Sequence, residues 1–256
     1  MSTLAGAWEA NADDWTAWAR QPGHDSYWTF HRDVFLSLVP PPAGLTLDVG
    51  CGEGRVARDL AEAGHRVVAL DAAPTMARRT AEAGGLAGVL RADATALPVS
   101  DAAVDLVVAF MSLHDMDDMA GAVREIGRVL RPGGRLCFAV VHPLNAAGSF
   151  ATDAPDAGFV IAGDYFARRR TLWAQEKNGM RMTFEAMHRP IGDYFAALAA
   201  AGMRTEALRE VRAGSGRWRR IPWFVDARAV RPWPSRGSRT SPRTPAASSA
   251  ARPTRR

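Results

Sequence analysis

A short apolar run that ends in three alternate glycines constrains the fold of this chain more than any other stretch. Residues 45–49 read LTLDV, mainly apolar and β-branched side chains that suit a buried strand. Glycines then occupy every second position of residues 50–54, and apolar side chains of residues 55–63 recur at helical spacing. Gly64 suits the carboxyl cap of that helix. The pattern predicts a strand, a tight turn and a helix, with a turn backbone that a ligand can approach closely.

The charges and spacing of the turn indicate which ligand it suits. A dinucleotide fingerprint requires G-x-G-x-x-G or A, and Arg55 occupies the last of these positions. Asp48 and Glu53 flank the turn, and Glu53 lies where a helix N-terminus would otherwise attract a pyrophosphate. The two carboxylates therefore favour a ligand that carries positive charge.

The segment DVGCGEG, residues 48–54, resembles the first motif of class I S-adenosylmethionine-dependent methyltransferases. S-adenosylmethionine carries an ammonium and a sulfonium but no phosphate, which agrees with the acidic turn. The resemblance covers residues 45–142 and extends more loosely to residue 230. It implies a Rossmann-like, doubly wound α/β fold with S-adenosylmethionine as the cofactor. The sheet is expected to have seven strands, mostly parallel, with one antiparallel edge.

The resemblance also implies roles for residues at the ends of three predicted strands. Asp71 is expected to accept hydrogen bonds from the ribose hydroxyls, Asp93 to bind the adenine amino group, and the backbone near Phe110 to contact the methionine part. A purely structural role, such as helix capping by Asp71, stays open on the sequence alone. The residues expected to bind the cofactor are Asp48, Gly50, Cys51, Gly52, Asp71, Ala72, Asp93, Ala94 and Phe110.

Methyl transfer depends mainly on alignment of the reactants and exclusion of water. A base is needed only when the acceptor atom is protonated at the working pH. His114, just past the fourth strand, and His142, at the end of the fifth, are the candidate catalytic residues, and Asp115 is placed to orient a histidine. A structural role is the alternative for each. Two scattered cysteines form neither a disulfide framework nor a zinc site, so no metal is expected.

Alternating strands and helices organise the chain from residue 43 to residue 232, the predicted methyltransferase domain. Residues 1–42 are expected to form a helical cap over the cofactor crevice, with one helix over 1–21 and a second over 27–39. The predicted strands are 45–49, 66–70, 88–91, 104–110, 135–141, 204–212 and 222–230. The predicted helices of the domain are 55–63, 74–83, 119–130 and 188–201.

Residues 143–189 interrupt this alternation and are expected to form an insertion on the substrate side of the crevice. Residues 233–256 are rich in Ser, Pro and Arg without apolar periodicity, which predicts a disordered basic tail. Aromatic and methionine side chains in the cap and the insertion suit a flat, apolar acceptor, although they serve equally well as core. They are Trp8, Trp15, Trp18, Trp28, Trp173, Met180, Met182, Phe184 and Met187.

The acceptor class is predicted largely by elimination. Residues 109–112 read AFMS instead of the [DN]-P-P-[YFW] element of base-amine methyltransferases, and no cysteine follows a proline as cytosine-C5 chemistry requires. The function expected is therefore methyl transfer to a small, apolar or aromatic metabolite. The alternatives are an RNA-modifying methyltransferase that grips phosphate with the arginine-rich tail and a non-catalytic S-adenosylmethionine-binding protein.

Composition bears on partners and location. The formal net charge is +5, and the seven arginines from residue 231 onward contribute +7 with no acid among them, so the rest of the chain carries 5 − 7 = −2. Because the rest of the chain is slightly acidic, nucleic-acid binding is not favoured. No secretory signal and no apolar run of about 18 residues is visible. These features predict a cytoplasmic protein without a membrane partner, and they leave its oligomeric state open.

Overall fold

The computed structural model describes residues 3–214 and 216–234 of the chain. The helices are α1 (Leu4–Ala10), α2 (Ala12–Arg20), α3 (Arg32–Leu36), α4 (Arg55–Glu62), α5 (Pro74–Ala83), α6 (Met119–Val129), α7 (Pro143–Ala147) and α8 (Ile191–Ala200). A π-helical turn, Tyr27–His31, precedes α3, and 3₁₀ turns span Leu113–Asp115 and Arg217–Arg220. The strands are β1 (Leu45–Val49), β2 (Arg66–Asp71), β3 (Gly88–Arg91), β4 (Val104–Phe110), β5 (Leu130–Val141), β6 (Gly148–Phe150), β7 (Phe159–Ile161), β8 (Arg169–Lys177), β9 (Met180–His188), β10 (Arg204–Val211) and β11 (Phe224–Val230).

Within the described residues, seven strands form one sheet in the order β10-β11-β5-β4-β1-β2-β3. Neighbouring strands from β5 to β3 run parallel, whereas β11 is antiparallel to both β5 and β10. The predicted Rossmann-like fold with one antiparallel edge is confirmed. The chain moves outward from β1 through β2 to β3 and then crosses to β4. This change of direction beside β1 opens a crevice at the carboxyl ends of the strands.

Both faces of the sheet are covered, as the side chains of β4 illustrate. Val107 and Ala109 belong to a core cluster that includes Ile126 of α6, whereas Leu106 and Val108 pack on the opposite face with residues of α4. Side chains alternate between the two faces of a strand, so a strand buried on both faces reads as a continuous apolar run. Packing on both faces holds the central strands in place, and their carboxyl ends lie along one edge of the sheet.

The N-terminal region contains breaks that the periodicity did not predict. Instead of one helix over residues 1–21, α1 and α2 meet at Asn11, whose φ is −102° and ψ 7°. The Asn11 side-chain amide donates to the carbonyl of Ala7 at 2.9 Å, a local hydrogen bond that competes with helix continuation. The second predicted helix begins as a π-helical turn and ends at Leu36.

The strand β5 starts five residues before its predicted position because it includes the RPGG segment. Gly133 adopts φ 82°, and the pairing with β4 shifts register between Val104 and Leu106. Glycine reaches this positive φ without steric cost, which allows an irregularity inside the strand. The helix predicted from residue 188 begins instead at Ile191, behind Pro190 at its N-cap.

The predicted insertion forms two antiparallel hairpins, β6–β7 and β8–β9. Phe184 of β9 packs edge-on against Trp15 and Trp18 of α2, with ring centroids 6.0 and 6.1 Å apart. The hairpin β8–β9 thus supports the N-terminal helices from outside. Trp233 and Pro234 of the predicted tail are described, and the rest of that tail lies outside the described residues. Among the described residues, no helix is long and apolar enough to cross a membrane.

Candidate functional site

A cavity of about 420 Å³ lies at the carboxyl ends of β1, β2 and β4. This volume falls in the range of pockets that enclose one small-molecule ligand. The turn that follows β1 forms its floor, and Trp8 and Trp15 of α1 and α2 form its roof. The roof is tied to the opposite wall, because the backbone N–H of Leu4 donates to Oδ2 of Asp117 at 2.9 Å.

The turn after β1 requires glycine at its first two alternate positions. Gly50 has φ 73°, and a Cβ there would lie 2.5 Å from the Cβ of Ser112. Gly52 has φ 58°, and a Cβ there would lie 3.4 Å from Nε1 of Trp15. The backbone N–H groups of Gly50 and Cys51 both donate to the carbonyl of Leu70, at 2.8 and 3.0 Å. The turn is therefore held against the end of β2 and presents bare backbone to the cavity.

Two carboxyl groups face this floor, Asp48 fully buried and Asp71 half-buried. Asp71 accepts hydrogen bonds from the N–H groups of Gly52 and Ala73, both at 2.9 Å, and burial nevertheless raises its pKa to about 6. Asp48 is 1% exposed, and its Oδ2 has no hydrogen-bond partner among the described residues. Burial and the nearby Asp71 raise the pKa of Asp48 to about 7. Such a pair gains most from a ligand that brings positive charge or hydroxyl donors.

The remaining wall carries the end of β3 and the end of β4. Oδ1 of Asp93 accepts from the backbone N–H and the hydroxyl of Thr95, both at 2.8 Å, which fixes the orientation of this carboxylate. Ala94 and Phe110 are buried and line the same cavity. Burial raises the pKa of the Cys51 thiol, so this cysteine is a neutral wall group. Every residue that the resemblance assigns to the cofactor lines this one cavity.

The two candidate histidines lie elsewhere. His114 is buried in the 3₁₀ turn after β4 and faces a separate, smaller cavity, and burial together with Arg189 lowers its pKa to about 3. His142 caps α7, with Nδ1 accepting from the N–H of Leu144 at 3.0 Å, and its Nε2 contacts Glu210 at 3.1 Å. No histidine among the described residues lines the larger cavity. Neither His114 nor His142 lines the larger cavity, and a catalytic role for either residue stays a prediction.

Sequence reasoning missed the buried ion pair between Arg55 and Asp25. Arg55 follows the turn after β1 and lines the cavity. Its guanidinium lies 5.0 Å from the ring centroids of both Trp15 and Tyr27. The signal was present, since Arg55 is the residue that breaks the dinucleotide fingerprint.

The expectation that Glu53 attracts a cationic ligand needs correction. Glu53 is 2% exposed, and its carboxylate is paired with Arg20 and Arg58, each at 2.9 Å. Two arginines therefore compensate its charge, and the negative charge available in the cavity comes from other residues. Arg20 reaches Glu53 from α2, a contact that only the folded chain reveals.

Only some of the aromatic and methionine side chains that were predicted to surround the acceptor line a cavity. Trp8 and Trp15 line the larger cavity, and Trp173 and Met187 line the smaller one. Met182 is fully buried, and Phe184 packs behind the roof. The insertion contributes to the support of the roof and to the smaller cavity.

The residues of the larger cavity fit S-adenosylmethionine. A Cβ at Gly50 or Gly52 would fill the cradle, the oxygen of Asp48 lacks a partner, and Asp71 keeps lone pairs for hydroxyl donors. Both acids gain from the positive charge of the sulfonium and the ammonium. The turn is not suited to bind a phosphate, because carboxylates surround it.

Comparisons with known proteins agree with this site. A family model described as a methyltransferase domain matches residues 47–138. The chain is 43% identical over 161 residues to a demethylmenaquinone methyltransferase from Thermus thermophilus, an alignment that covers 57% of this chain and 72% of the relative. It is 35% identical over 107 residues to a malonyl-[acyl-carrier protein] O-methyltransferase from Pectobacterium atrosepticum, covering 41% of this chain and 42% of that relative.

A solved S-adenosylmethionine-dependent methyltransferase from Mesorhizobium loti has the same fold, with a TM-score of 0.64 and 24% identity. That comparison covers 81% of this chain and 98% of the other. The chain spans about half the length of the first curated relatives that it matches, 42% and 53%. The match to the family model, the identity to the Thermus protein and the shared fold together show that the chain belongs to the class I S-adenosylmethionine-dependent methyltransferases.

Proposed function

We propose that the protein transfers the methyl group of S-adenosylmethionine to a small-molecule acceptor. The observation that carries the proposal is the larger cavity, in which a glycine floor, the carboxyl groups of Asp48 and Asp71 and a tryptophan roof converge. When bound, S-adenosylmethionine supplies an activated methyl group on its sulfonium. The protein then has to orient the reactants and exclude water, and both tasks suit an enclosed site.

The residues that would hold the cofactor follow from the geometry. Asp71, fixed by two backbone N–H groups, would accept from the ribose hydroxyls, and Asp93, fixed by Thr95, would bind the adenine amino group. The backbone at Phe110 would contact the methionine part. Trp15, above Gly52, would shield the bound ligand from solvent.

A small acceptor is favoured over a nucleic acid. The cavity is roofed by α1 and α2 and lined by carboxylates, which repel phosphate. The names of relatives include methyltransferases acting on malonyl-[acyl-carrier protein] and demethylmenaquinone, and one of ubiquinone biosynthesis. We propose a metabolite acceptor of comparable kind, with its identity and the methylated atom to be found by screening.

The test combines binding with transfer. Calorimetry should show saturable heat with S-adenosylmethionine and with S-adenosylhomocysteine, and none with a nicotinamide dinucleotide. Asp71→Asn should weaken both affinities, whereas Asp33→Asn, at a side chain that is 91% exposed, should leave them unchanged. Transfer of a tritiated methyl group should then be screened against carboxylic acids, phenols, quinols, amines and total RNA.

Absence of heat with both ligands, or binding of the nicotinamide instead, would overturn the proposal. Transfer to RNA that is lost when residues 235–256 are removed would favour the RNA-modifying alternative. Tight cofactor binding without transfer to any acceptor class would favour the non-catalytic alternative.

A further inference from the structure

The ionisable groups in the walls of the larger cavity, which would hold the cofactor, are almost all acids. Seven of the lining residues are Asp or Glu, and Arg55 is the only Lys, Arg or His among those that the structure describes. The sulfonium and the ammonium of S-adenosylmethionine suit such walls. The carboxylate of its methionine part does not, because an ionised acid repels it. That carboxylate therefore needs a partner of its own.

The backbone of the glycine turn has few donors left for this carboxylate. The N–H groups of Gly50, Cys51, Gly52 and Gly54 already donate to described oxygen atoms, at 2.8 to 3.0 Å. Backbone N–H groups at the start of a helix are common anion ligands. Here an anion placed on the four residues would have to displace existing hydrogen bonds, so a side-chain donor is favoured.

The side chain of Arg55 lies in the cavity wall with part of its donors unused. The residue is 7% exposed, and its Nη1 donates to Asp25, which does not line the cavity. This is the only hydrogen bond of the guanidinium to a described residue. A guanidinium carries five N–H donors in a planar fork. Asp25 can therefore hold one edge of the group while another edge receives a second carboxylate.

Three aromatic rings surround the guanidinium of Arg55. Its Cζ lies 5.0 Å from the ring centroids of Trp15 and Tyr27 and 5.8 Å from that of Phe110. Such contacts stabilise the cation and restrict its movement. Trp15 and Phe110 line the same cavity, and Phe110 is the residue expected beside the methionine part of the cofactor. The guanidinium thus lies at the end of the cavity where the carboxylate of the ligand is expected.

We propose that Arg55 binds the carboxylate of S-adenosylmethionine and makes that group a requirement for tight binding. This inference rests on the proposed function and adds the residue that selects the cofactor against its decarboxylated form. Asp25 positions the guanidinium from behind, and the acids of the cavity are left to the ammonium and the sulfonium. The side chain that breaks the dinucleotide fingerprint is then the one that recognises the amino-acid part of the ligand.

The experiment compares two ligands that differ in one group. S-adenosylhomocysteine carries the carboxylate, whereas decarboxylated S-adenosylhomocysteine keeps the adenosine, the sulfur and the amino group. In calorimetry with the full chain, the wild type should bind S-adenosylhomocysteine at least about tenfold more tightly, the scale of a charged hydrogen bond. Equal affinities of the wild type for the two ligands would overturn the proposal.

Arg55→Gln tests whether this preference belongs to Arg55. The two affinities should then lie within about twofold of each other, because the charged donor is gone. Both ligands are measured on the same variant, so a general effect on the fold cancels from their ratio. Arg78→Gln, at a side chain that is 51% exposed and outside the cavity, should keep the ratio of the wild type. An unchanged ratio in Arg55→Gln would refute the assignment.

The single substitution leaves Asp25 buried without its partner, so a second variant guards against loss of the fold. Asp25→Asn combined with Arg55→Gln replaces the ion pair by two neutral amides. The ratio of the two affinities decides the question in this double variant in the same way. Failure of the proposed function is distinguishable, because the wild type would then bind neither ligand. Failure of the present inference leaves the binding of S-adenosylhomocysteine intact.

Discussion

Nε1 of the Trp15 indole lies 3.4 Å from the position that a Cβ on Gly52 would occupy. The roof of the cofactor cavity therefore comes close to its glycine floor at this point, with room for about one methyl group between them. Both residues line the cavity, and both sides of the contact are anchored, Gly52 by Asp71 and α2 by the pairing of Arg20 with Glu53. The distance between roof and floor at this point is thereby held from both sides.

Gly52→Ala should weaken the affinity for S-adenosylhomocysteine by at least about tenfold. The new methyl group would lie between floor and roof, and the φ of 58° adds backbone strain of about 1 kcal/mol. Calorimetry measures the affinity. Gly163→Ala is the matched control, since Gly163 has φ 76° with nothing within 4 Å of an added Cβ. Gly163→Ala should lower the free energy of unfolding in urea through the same backbone strain, and it should leave the affinity unchanged. An equal loss of affinity in both variants would contradict the steric explanation.

The affinity for S-adenosylmethionine should rise between about pH 5 and pH 8. The pKa values of Asp71 and Asp48, about 6 and about 7, lie above the usual 3.8 because both groups are buried. A cationic ligand binds best to the ionised carboxylates, so at low pH binding must first release their protons, and this cost disappears as pH rises through both values. Calorimetry across the range in two buffers of different ionisation enthalpy measures affinity and proton release.

Asp48→Asn should remove the part of this pH dependence near pH 7 and keep the part near pH 6. The amide preserves the size of the side chain but does not titrate, so the remaining slope belongs to Asp71. A pH profile identical to that of the wild type would show that Asp48 is not linked to binding.

Asp25→Ala should speed the release of S-adenosylhomocysteine and destabilise the fold by about 3–5 kcal/mol. The change leaves the buried guanidinium of Arg55 without its counter-ion, and removing one partner of a buried pair has this cost. Asp25 follows α2, so its loss also frees the roof from α4. Stopped-flow tryptophan fluorescence measures release. Asp33→Ala, at an exposed pair with Arg32, should change stability by less than about 1 kcal/mol and leave release unaltered.

Asp226→Ala should destabilise the protein by about 1–3 kcal/mol, the cost of leaving a buried polar group without its hydrogen-bond partner, and should not change cofactor affinity. Oδ1 of Asp226 lies 2.7 Å from Nε2 of His31, and both side chains are fully buried away from the cofactor cavity. Urea unfolding measures the stability. Glu82→Gln, at an exposed pair with Arg78, is the control and should leave the free energy of unfolding nearly unchanged. A stability loss in Asp226→Ala no larger than in the control would refute the importance of the buried pair.

The strands from β1 to β4 could be predicted from the sequence, and so could the convergence in one cavity of the residues expected at the cofactor. Alternating strands and helices imply a parallel sheet, and the carboxyl ends of neighbouring parallel strands share one edge. Asp48 lies one residue before the end of β1, Asp71 ends β2 and Asp93 follows β3, so their convergence in one cavity follows from the topology.

Contacts between distant segments could not be read from the sequence. Glu53 seemed available for a ligand because Arg20, 33 residues away, gives no local signal of their pairing. His114 follows β4 closely, yet the 3₁₀ turn directs it to the smaller cavity. His188 and Arg189, at the end of the insertion, also line that cavity. The helical periodicity of residues 1–21 likewise gave no sign of the break at Asn11. The apolar pattern does not reveal that this side chain hydrogen-bonds the backbone carbonyl of Ala7.

The hydrogen bond between Leu4 and Asp117 joins segments separated by 113 residues. It fastens the start of α1 to the wall of the cavity that lies beyond β4. Loss of this one hydrogen bond should therefore loosen the entrance on that side and shorten the time for which a ligand is retained, while the sheet beneath stays intact.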